Sequence, residues 1–423
     1  MPSCGTLAIR GASSPGQGYG QRSDSWGTGT ATLILCFLAA LSEGFDIQSM
    51  GVAAPRLAPA LALTRDQLGP VFSASLIGLL LGSLIVGRLS DRFGRKWTLI
   101  LSLASYAVFS ATTAWAHDLT QLLSIRVLAG LGLGGALPTL VALSSETLAS
   151  NGVGALRRTR AVTMLTSGMP FGGAIAGGVA AAMDWRDIFY FGGGVPLVIA
   201  ALMIPLLPES RVYIAARREV VSRQSVAWTL FGERRSLTTA ILWMASFCAL
   251  LSQYTLLNWL PTLMGSKGVS RSDASVVSLL YNLGGGVGVL VLAALLERPR
   301  RDWTVVVWYC AMGFALAALS STRADLVSAG AAGLGAGVFV TSATLFFYGL
   351  APLFYPTAVR GTGVGAFVAV GRAGAIAGPL LAATLLSAGV GASGVLMALL
   401  PIVVIGGAAS FALLRRPALR DAI

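Results

Sequence analysis

The sequence predicts an all-α membrane protein, with twelve transmembrane helices in two pseudo-symmetric six-helix bundles. Three observations lead there. Only 11% of the 423 residues are charged while 55% are hydrophobic; an ordinary soluble domain has roughly 25% charged residues, so this chain cannot cover itself with a polar skin. Its apolar residues fall in runs of about 20, the length that crosses a hydrocarbon layer about 30 Å thick. The two halves of the chain also echo one another. The same composition, with mean hydropathy +0.77, excludes intrinsic disorder, which requires few apolar residues and much charge.

Taken in order, the apolar runs place spans at about 30–55, 69–88, 97–116, 119–145, 161–183 and 187–207, each long enough for a crossing. The second six fall at about 238–263, 274–296, 303–322, 326–350, 362–388 and 393–414. Residues 1–28, rich in Gly and Ser, read as a disordered cytoplasmic tail. A cleaved signal peptide competes with that reading, but the apolar stretch behind it continues to about residue 55 and carries two acids, which a signal core does not. A start codon misplaced upstream is a further alternative. Residues 29–207 form the N-terminal bundle, and 208–236, with six arginines and three glutamates, the cytoplasmic linker. Residues 237–414 form the C-terminal bundle and 415–423 a cytoplasmic tail.

Charge orients these spans. Of the 30 Lys and Arg, 22 fall on the tails and even-numbered loops. Six, Arg56, Arg65, Arg186, Lys267, Arg271 and Arg323, fall on the opposite loops, and two, Arg126 and Arg372, inside spans. Positive charge stays cytoplasmic, so both termini are expected inside, in the plasma (bacterial inner) membrane. The opposite face carries six acids against its six cations, so the net charge of +13 lies wholly on the cytoplasmic face. The charge is a topological signal, and nucleic acid is excluded as a partner. The single histidine, His117, gives poor support to histidine-dependent catalysis. Four scattered cysteines, Cys4, Cys36, Cys248 and Cys310, form no metal or disulfide pattern. No G-x-x-x-x-G-K-[ST] loop is present, so nothing points to nucleotide-driven pumping.

The internal repetition is specific. GAIAG occurs at 173–177 and again at 374–378, an offset of 201. The loop GRLSDRFGRK (Gly87–Lys96) after span two has a degraded counterpart, AALLERPRRD (Ala293–Asp302), at offset 206. Two similar bundles leave a crevice between them, and rocking one against the other gives alternating access.

Two acids lie within span one. Glu43 and Asp46 are three residues apart and so share one helix face. Glu43 is about 13 residues into the span, roughly 20 Å deep, where a charge costs at least ~2.5–3.5 kcal/mol. Two carboxylates on one face cannot both ionise cheaply, so one is expected to hold a proton, as proton coupling requires. The alternative is a structural ion pair with a buried arginine. Arg372 sits about 15 Å deep in span eleven, and a guanidinium that cannot lose its charge needs an anion there. A substrate carboxylate could be gripped by two parallel hydrogen bonds; permanent pairing with Glu43 or Asp46 is the alternative, and competition between the two unites them. Arg126 and Glu146 share span four but are about 30 Å apart, too far to pair. Arg126 can serve proton coupling or a second anion contact, or pair structurally with Asp46. Glu146 reaches the cytoplasmic end near Arg92 and Arg95, as a gate or latch.

In the loop motif, Gly87 and Gly94 allow tight turns, and Asp91 can accept at the N-terminus of a neighbouring helix. With Arg92, Arg95 and Lys96 these residues form an expected cytoplasmic gate. The second copy keeps Glu297 and Arg298 but lacks the glycines. The series Gly130, Gly132, Gly134 and Gly135 lies mid-span and reads as close helix packing, not as a dinucleotide loop. Trp185 and Trp303 read as interfacial belt residues.

GRLSDRFGRK between spans two and three, the long central loop and RVLAGLGLGGALPTL (Arg126–Leu140) on span four resemble the major facilitator superfamily. Within it, SEGFDIQSMGVAAPRLAPAL on span one is similar to the aromatic acid:proton symporters. YGLAPLFYPTAVRGTGVGAFVAVGRAGAIAGPLL (Tyr348–Leu381) resembles the 3-(3-hydroxyphenyl)propionate carriers of that group. The resemblance covers nearly the whole chain after residue 28. It implies the major facilitator fold and proton-coupled uptake of a small aromatic carboxylate, such as 3-(3-hydroxyphenyl)propionate or a hydroxybenzoate. The proton gradient would stand in place of any cofactor or metal, with the lipid bilayer, protons and the carboxylate as partners and no obligate protein partner. The family's acid-Gly-x-Asp motif falls on Glu43–Asp46, with Glu as the first acid, and its important span-eleven arginine on Arg372. An aromatic substrate also needs an apolar slot with a few polar groups; candidates are Phe45, Tyr254, Asn258, Trp259, Tyr281, Asn282, Phe347 and Tyr348. A proton-driven drug or metabolite efflux antiporter is the rival within the fold. Such antiporters commonly carry adjacent Pro-Gly in span five, where this chain has Met169, Pro170, Phe171 and Gly172. A non-transporting sensor or scaffold would need a larger soluble part than stretches of about 30 residues.

Overall fold

The computed structural model describes residues 22–209, 235–296, 301–355 and 360–415, and these form thirteen α-helices without a strand. They are α1 (Arg22–Ala60), α2 (Arg65–Phe93), α3 (Arg95–Thr113), α4 (Leu119–Ser150), α5 (Ala155–Thr166), α6 (Gly168–Ala182) and α7 (Trp185–Leu206). The second half of the chain supplies α8 (Ser236–Ser266), α9 (Arg271–Leu296), α10 (Arg301–Ser320), α11 (Leu326–Leu350), α12 (Arg360–Ser387) and α13 (Ala392–Leu414). The all-helical expectation holds. Among the described residues, ten helices are long and apolar enough to cross a membrane: α1, α2, α4 and α7 to α13. The remainder of the expected tails and of the linker, at 1–21, 210–234 and 416–423, and the loop residues Glu297 and Arg298, lie outside the described residues.

The three other helices fall where spans were expected at 97–116 and 161–183. α3 is 19 residues long and carries six Ser or Thr. Helix backbone absorbs such hydroxyls: Thr98 donates to the Gly94 carbonyl at 2.6 Å, Thr112 to Val108 at 2.7 Å and Thr113 to Phe109 at 3.0 Å. Over the expected span 161–183 the chain forms two helices instead of one. α5 ends at Thr166, Ser167 intervenes with its hydroxyl on the Met164 carbonyl at 2.5 Å, and α6 starts at Gly168. Pro170 cannot donate to the carbonyl four residues back, and Gly168 weakens the helix just before it. α1 opens at Arg22, inside the stretch read as a disordered tail.

Close approach between helices is set by backbone against glycine. α2 lies along α4, where a Cβ at Gly78 or Gly82 would run into the carbonyls of Val127 and Leu131, and one at Gly130 or Gly134 into those of Ser75 and Leu79. In the second half α9 lies along α11 in the same way, with Gly284 on the Leu334 carbonyl and Gly288 on that of Val338. Gly78 and Gly284, like Gly82 and Gly288, are 206 residues apart, the offset of the loop repeat. Without a hydrophobic force between helices in lipid, such contact is what holds spans together. Gly78→Val and Gly130→Val are each expected to destabilise by about 1–3 kcal/mol, the range for overpacking a tight core. Gly194→Val, where nothing lies within 4 Å of the added carbon, is the neutral control; thermal unfolding in detergent reads all three.

The halves meet at one end. α1 packs on α8, α2 on α12 and α6 on α9, with Gly51 against Leu257, Gly69 against Ala383 and Gly177 against Leu279. These positions lie toward loops 61–64, 183–184, 267–270 and 388–391, the loops expected outside. Here one apolar cluster spans both halves and includes Leu57, Phe72, Leu256, Trp259, Val277 and Leu386. Two further clusters each stay within one half: Leu99, Leu103, Leu133 and Leu140 in the first, Leu242, Val305, Phe347 and Phe367 in the second. The crevice is thus sealed at the end expected outside.

Candidate functional site

α1 brings three polar side chains into this seam within six residues, and all are buried: Glu43, Asp46 and Gln48. The helix can lie deep because Gly44 meets the Met169 backbone and Gly172 meets the Leu41 carbonyl, pressing α1 onto α6. Successive residues turn by about 100°, so the three face different neighbours.

Asp46 faces α3 and α4. Arg126 Nη1 and Nη2 approach its Oδ1 and Oδ2 at 3.4 and 3.3 Å, and the Ser110 hydroxyl donates to Oδ1 at 2.5 Å. Arg126 Nε donates to the Ser75 hydroxyl at 2.8 Å, and the guanidinium lies 5.8 Å from the centre of the Phe189 ring. Both members of this ion pair are 1% exposed. The two-pronged geometry suits a guanidinium and a carboxylate in a medium that screens little.

Glu43 is different. It is fully buried, and among the described residues neither carboxyl oxygen has a hydrogen-bond partner. Its charged neighbours are Arg372, of opposite sign, and Asp46. Arg372, on α12, is buried and donates through Nη1 to the Tyr254 hydroxyl of α8 at 2.9 Å. A buried carboxyl without donors is costly in its ionised form.

Between α1, α2, α4 and α8, a narrow cleft is lined by Asp46, Phe72, Ser75, Arg126, Tyr254 and Asn258, with about 10 Å³ of free space. That is room for roughly one water, so the walls must part before a larger solute fits. Next to it, Gln48 ties the halves together. It donates to the Leu257 carbonyl at 2.9 Å and accepts from Asn282 Nδ2 at 3.0 Å, while Asn282 also donates to its own helix at Ser278.

The expected slot residues divide. Tyr254 and Asn258 line the cleft, Asn258 donating to the Tyr254 carbonyl at 2.8 Å. Asn282 lies at the Gln48 bridge. Trp259 is buried and donates to the Pro379 carbonyl at 3.1 Å. Phe45 packs on Phe191 of α7 at 5.6 Å, away from α8 and α12. Tyr281 accepts from Thr341 at 3.4 Å between α9 and α11, and Phe347 is part of the second half's own cluster. The Tyr348 side chain lies outside the described residues. Trp303 is 63% exposed, whereas Trp185 is buried against Phe189, which corrects its reading as a belt residue.

At the opposite end, Gly94 turns the chain between α2 and α3 with φ 96°, a conformation glycine adopts freely. Arg95 Nη1 donates to the Ser90 carbonyl at 2.9 Å, and its Nε lies 3.7 Å from Glu146 Oε1. Arg92 is exposed and lies over Phe93 at 5.5 Å. Gly87 falls within α2, and the Asp91 side chain lies outside the described residues. The acid at the α3 N-terminus is Glu209, accepting from the backbone N–H of Arg95 and Lys96 at 2.8 and 3.2 Å, where a helix dipole favours negative charge. Sequence reasoning missed Glu209, Gln48, Ser75 and Ser110. An amide inside an apolar span was a usable signal for Gln48; the serines resemble the many that bond only their own helix. No group of three or more His, Cys, Asp or Glu that could hold a metal is present among the described residues.

Residues 36–379 match the Major Facilitator Superfamily family model. The chain is 41% identical over 391 residues to the 3-(3-hydroxy-phenyl)propionate transporter of Escherichia coli (strain K12), covering 91% of this chain and 94% of that one. It is 32% identical over 392 residues to the gallate transporter of Pseudomonas putida, covering 85% and 86%. Among solved structures, a bacterial homolog of the human lysosomal transporter Spinster, in an inward-facing and unoccupied conformation, superposes with a TM-score of 0.72 at 17% identity. That alignment covers 93% of this chain and 98% of that one. The chain therefore belongs to the Major Facilitator Superfamily and is a membrane transporter, not an enzyme.

Proposed function

We propose that the protein takes up a small aromatic carboxylate together with protons. It does so by alternating access between residues 29–207 and 237–414, joined by the linker 208–236. In this reading α3 and the α5–α6 pair complete twelve crossings, both termini lie in the cytoplasm and the membrane is the bacterial inner membrane. One observation carries it: of two buried acids on α1, Asp46 is satisfied by Arg126 and Ser110, while Glu43 lacks a hydrogen-bond donor and has Arg372 as its cationic neighbour. An arginine keeps its charge and needs an anion. The substrate carboxylate takes that place at Arg372, and the displaced Glu43 carries a proton. Tyr254 and Asn258 frame the ring, and Asp46 with Arg126 senses the second charge. Asn282 at the Gln48 bridge responds to the ring as the halves part, and Phe45, Tyr281, Phe347 and Tyr348 are left to shape the slot through packing. Gly87, Asp91, Arg92, Gly94, Arg95 and Glu146 act as the cytoplasmic gate. The proton gradient supplies the work, so no cofactor is required.

The similar transporters of 3-(3-hydroxyphenyl)propionate and gallate support the substrate class, since both are phenolic carboxylates. The test is uptake of labelled 3-(3-hydroxyphenyl)propionate, gallate and 4-hydroxybenzoate by cells expressing the protein. Accumulation of at least one, abolished by a protonophore, is the expected result. Accumulation indifferent to the protonophore would end the symport reading.

A further inference from the structure

The six cations expected on the outer side are of two kinds. Arg56 donates to the carbonyls of Ala180 and Met183, Arg186 to that of Ala114, and Lys267 to those of Leu319 and Ser320. Arg323 is two residues from Asp325, whose carboxylate accepts from the Ser328 N–H and hydroxyl at 2.8 and 2.6 Å. Arg56, Arg186 and Lys267 are thus occupied in closing off carbonyl ends. The side chains of Arg65 and Arg271 make no hydrogen bond or ion pair among the described residues, and both are exposed.

Both line the same cavity, which holds about 460 Å³ and is also walled by Pro55, Thr262, Ser266 and Ser270. No acidic side chain lines it. The acid in the first turn of α9, Asp273, accepts from the Ser270 hydroxyl at 2.7 Å. The Thr262 hydroxyl is shielded from solvent and has no hydrogen-bond partner, a further donor waiting for an acceptor. Arg65 and Arg271 are the first residues of α2 and α9, whose first turns also carry Asp66 and Asp273; neither acid lines the cavity. The volume falls in the range of small-molecule pockets, about 300–1,000 Å³. Pro55 and Arg65 come from the first half and Thr262 to Arg271 from the second, so the walls separate when the outer seal opens.

We propose that this cavity is a receiving site for the substrate's carboxylate: an organic monoanion docks between Arg65 and Arg271 before the halves part, and the opening seam passes it inward toward Arg372. The inference rests on the uptake reading above. It is tested on intact cells carrying Ser266→Cys, a position inside the cavity, with the protein lacking that change as the blank. The cysteine is labelled with a membrane-impermeant thiosulfonate bearing either a sulfonate or a trimethylammonium group. With the arginines present, the sulfonate reagent is favoured, and adding Arg65→Gln and Arg271→Gln lowers the anion-to-cation rate ratio by roughly tenfold, the lower end of the effect of a cationic funnel. Excess 3-(3-hydroxyphenyl)propionate slows labelling in the arginine form and leaves the double-glutamine form unaffected. Arg65→Lys with Arg271→Lys keeps the ratio. A ratio unmoved by removing both arginines, protection that survives their removal, or labelling only in inverted vesicles would overturn the proposal. Labelling needs no transport, so the two readings separate: protection without any uptake sinks symport and keeps the site, whereas normal uptake with an unmoved ratio sinks the site alone.

Discussion

Cells carrying Arg372→Gln take up 3-(3-hydroxyphenyl)propionate at least a hundredfold more slowly than wild type when substrate is scarce. The size follows from the hydrogen bonds that glutamine cannot make. A carboxylate gripped by a guanidinium makes two charge-assisted hydrogen bonds, each worth about 1.5–3 kcal/mol, and each 1.4 kcal/mol is a factor of ten. Glutamine keeps a neutral amide donor but neither the charge nor the fork, and the melting curve separates lost binding from lost packing. Arg372→Lys is expected to fall between, because an ammonium cannot offer the parallel fork. The fold should survive the glutamine change: Tyr254 keeps a polar neighbour and Glu43, left without its cation, can be neutralised by a proton. Direct binding by calorimetry on purified protein, beside a melting curve, separates these effects. Wild-type affinity in the glutamine variant would remove the carboxylate role from Arg372.

The second large effect is expected at Asp46→Asn. The change leaves Arg126 charged, 1% exposed and facing an amide. Breaking a buried ion pair by neutralising one partner typically costs about 3–5 kcal/mol, because the survivor has no counter-ion. The melting temperature should drop by several degrees and concentrative uptake should vanish. Loss of folding alone could produce the second result, so the double variant Asp46→Asn with Arg126→Gln decides. It removes both charges, should recover most of the stability, and should exchange substrate across the membrane without accumulating it. Accumulation at the wild-type level by the double variant would exclude this pair from proton coupling.

The helical segments were legible because a crossing needs its own length of apolar residues, and each expected span has helix over it. α3 shows why composition blurs the edge: six hydroxyls lower its hydropathy, yet those of Thr98, Thr112 and Thr113 bond the turn before them. The break at Ser167 was visible only in part, since Pro170 permits either a kink or a stop and neighbouring helices choose. The glycines of span four read correctly as packing sites, because a missing side chain within a span has few other uses. The partners of the buried ions were not legible. Helical spacing gives depth but not which helices touch, so pairing of Arg126 with Asp46 stood open beside a substrate role until α1 and α4 were placed together. Phe45 illustrates rotation: one residue before Asp46, it turns about 100° away and faces α7. The Gln48–Asn282 bridge joins residues 234 apart and needs the register between halves, which no local pattern carries. Glu209 was read as the edge of a linker; its capping of α3 depends on where α7 ends.

In the proposed cycle, parting the end expected outside wets the apolar cluster shared by both halves. Leu256, Trp259, Val277 and Leu386 lose oil-like neighbours and gain water each time, and newly hydrated hydrocarbon raises heat capacity. A solute that favours the opened form therefore binds with a heat-capacity change less negative than its own burial alone would give. Cooling, which weakens the cohesion of hydrocarbon, tilts the resting population toward the open form.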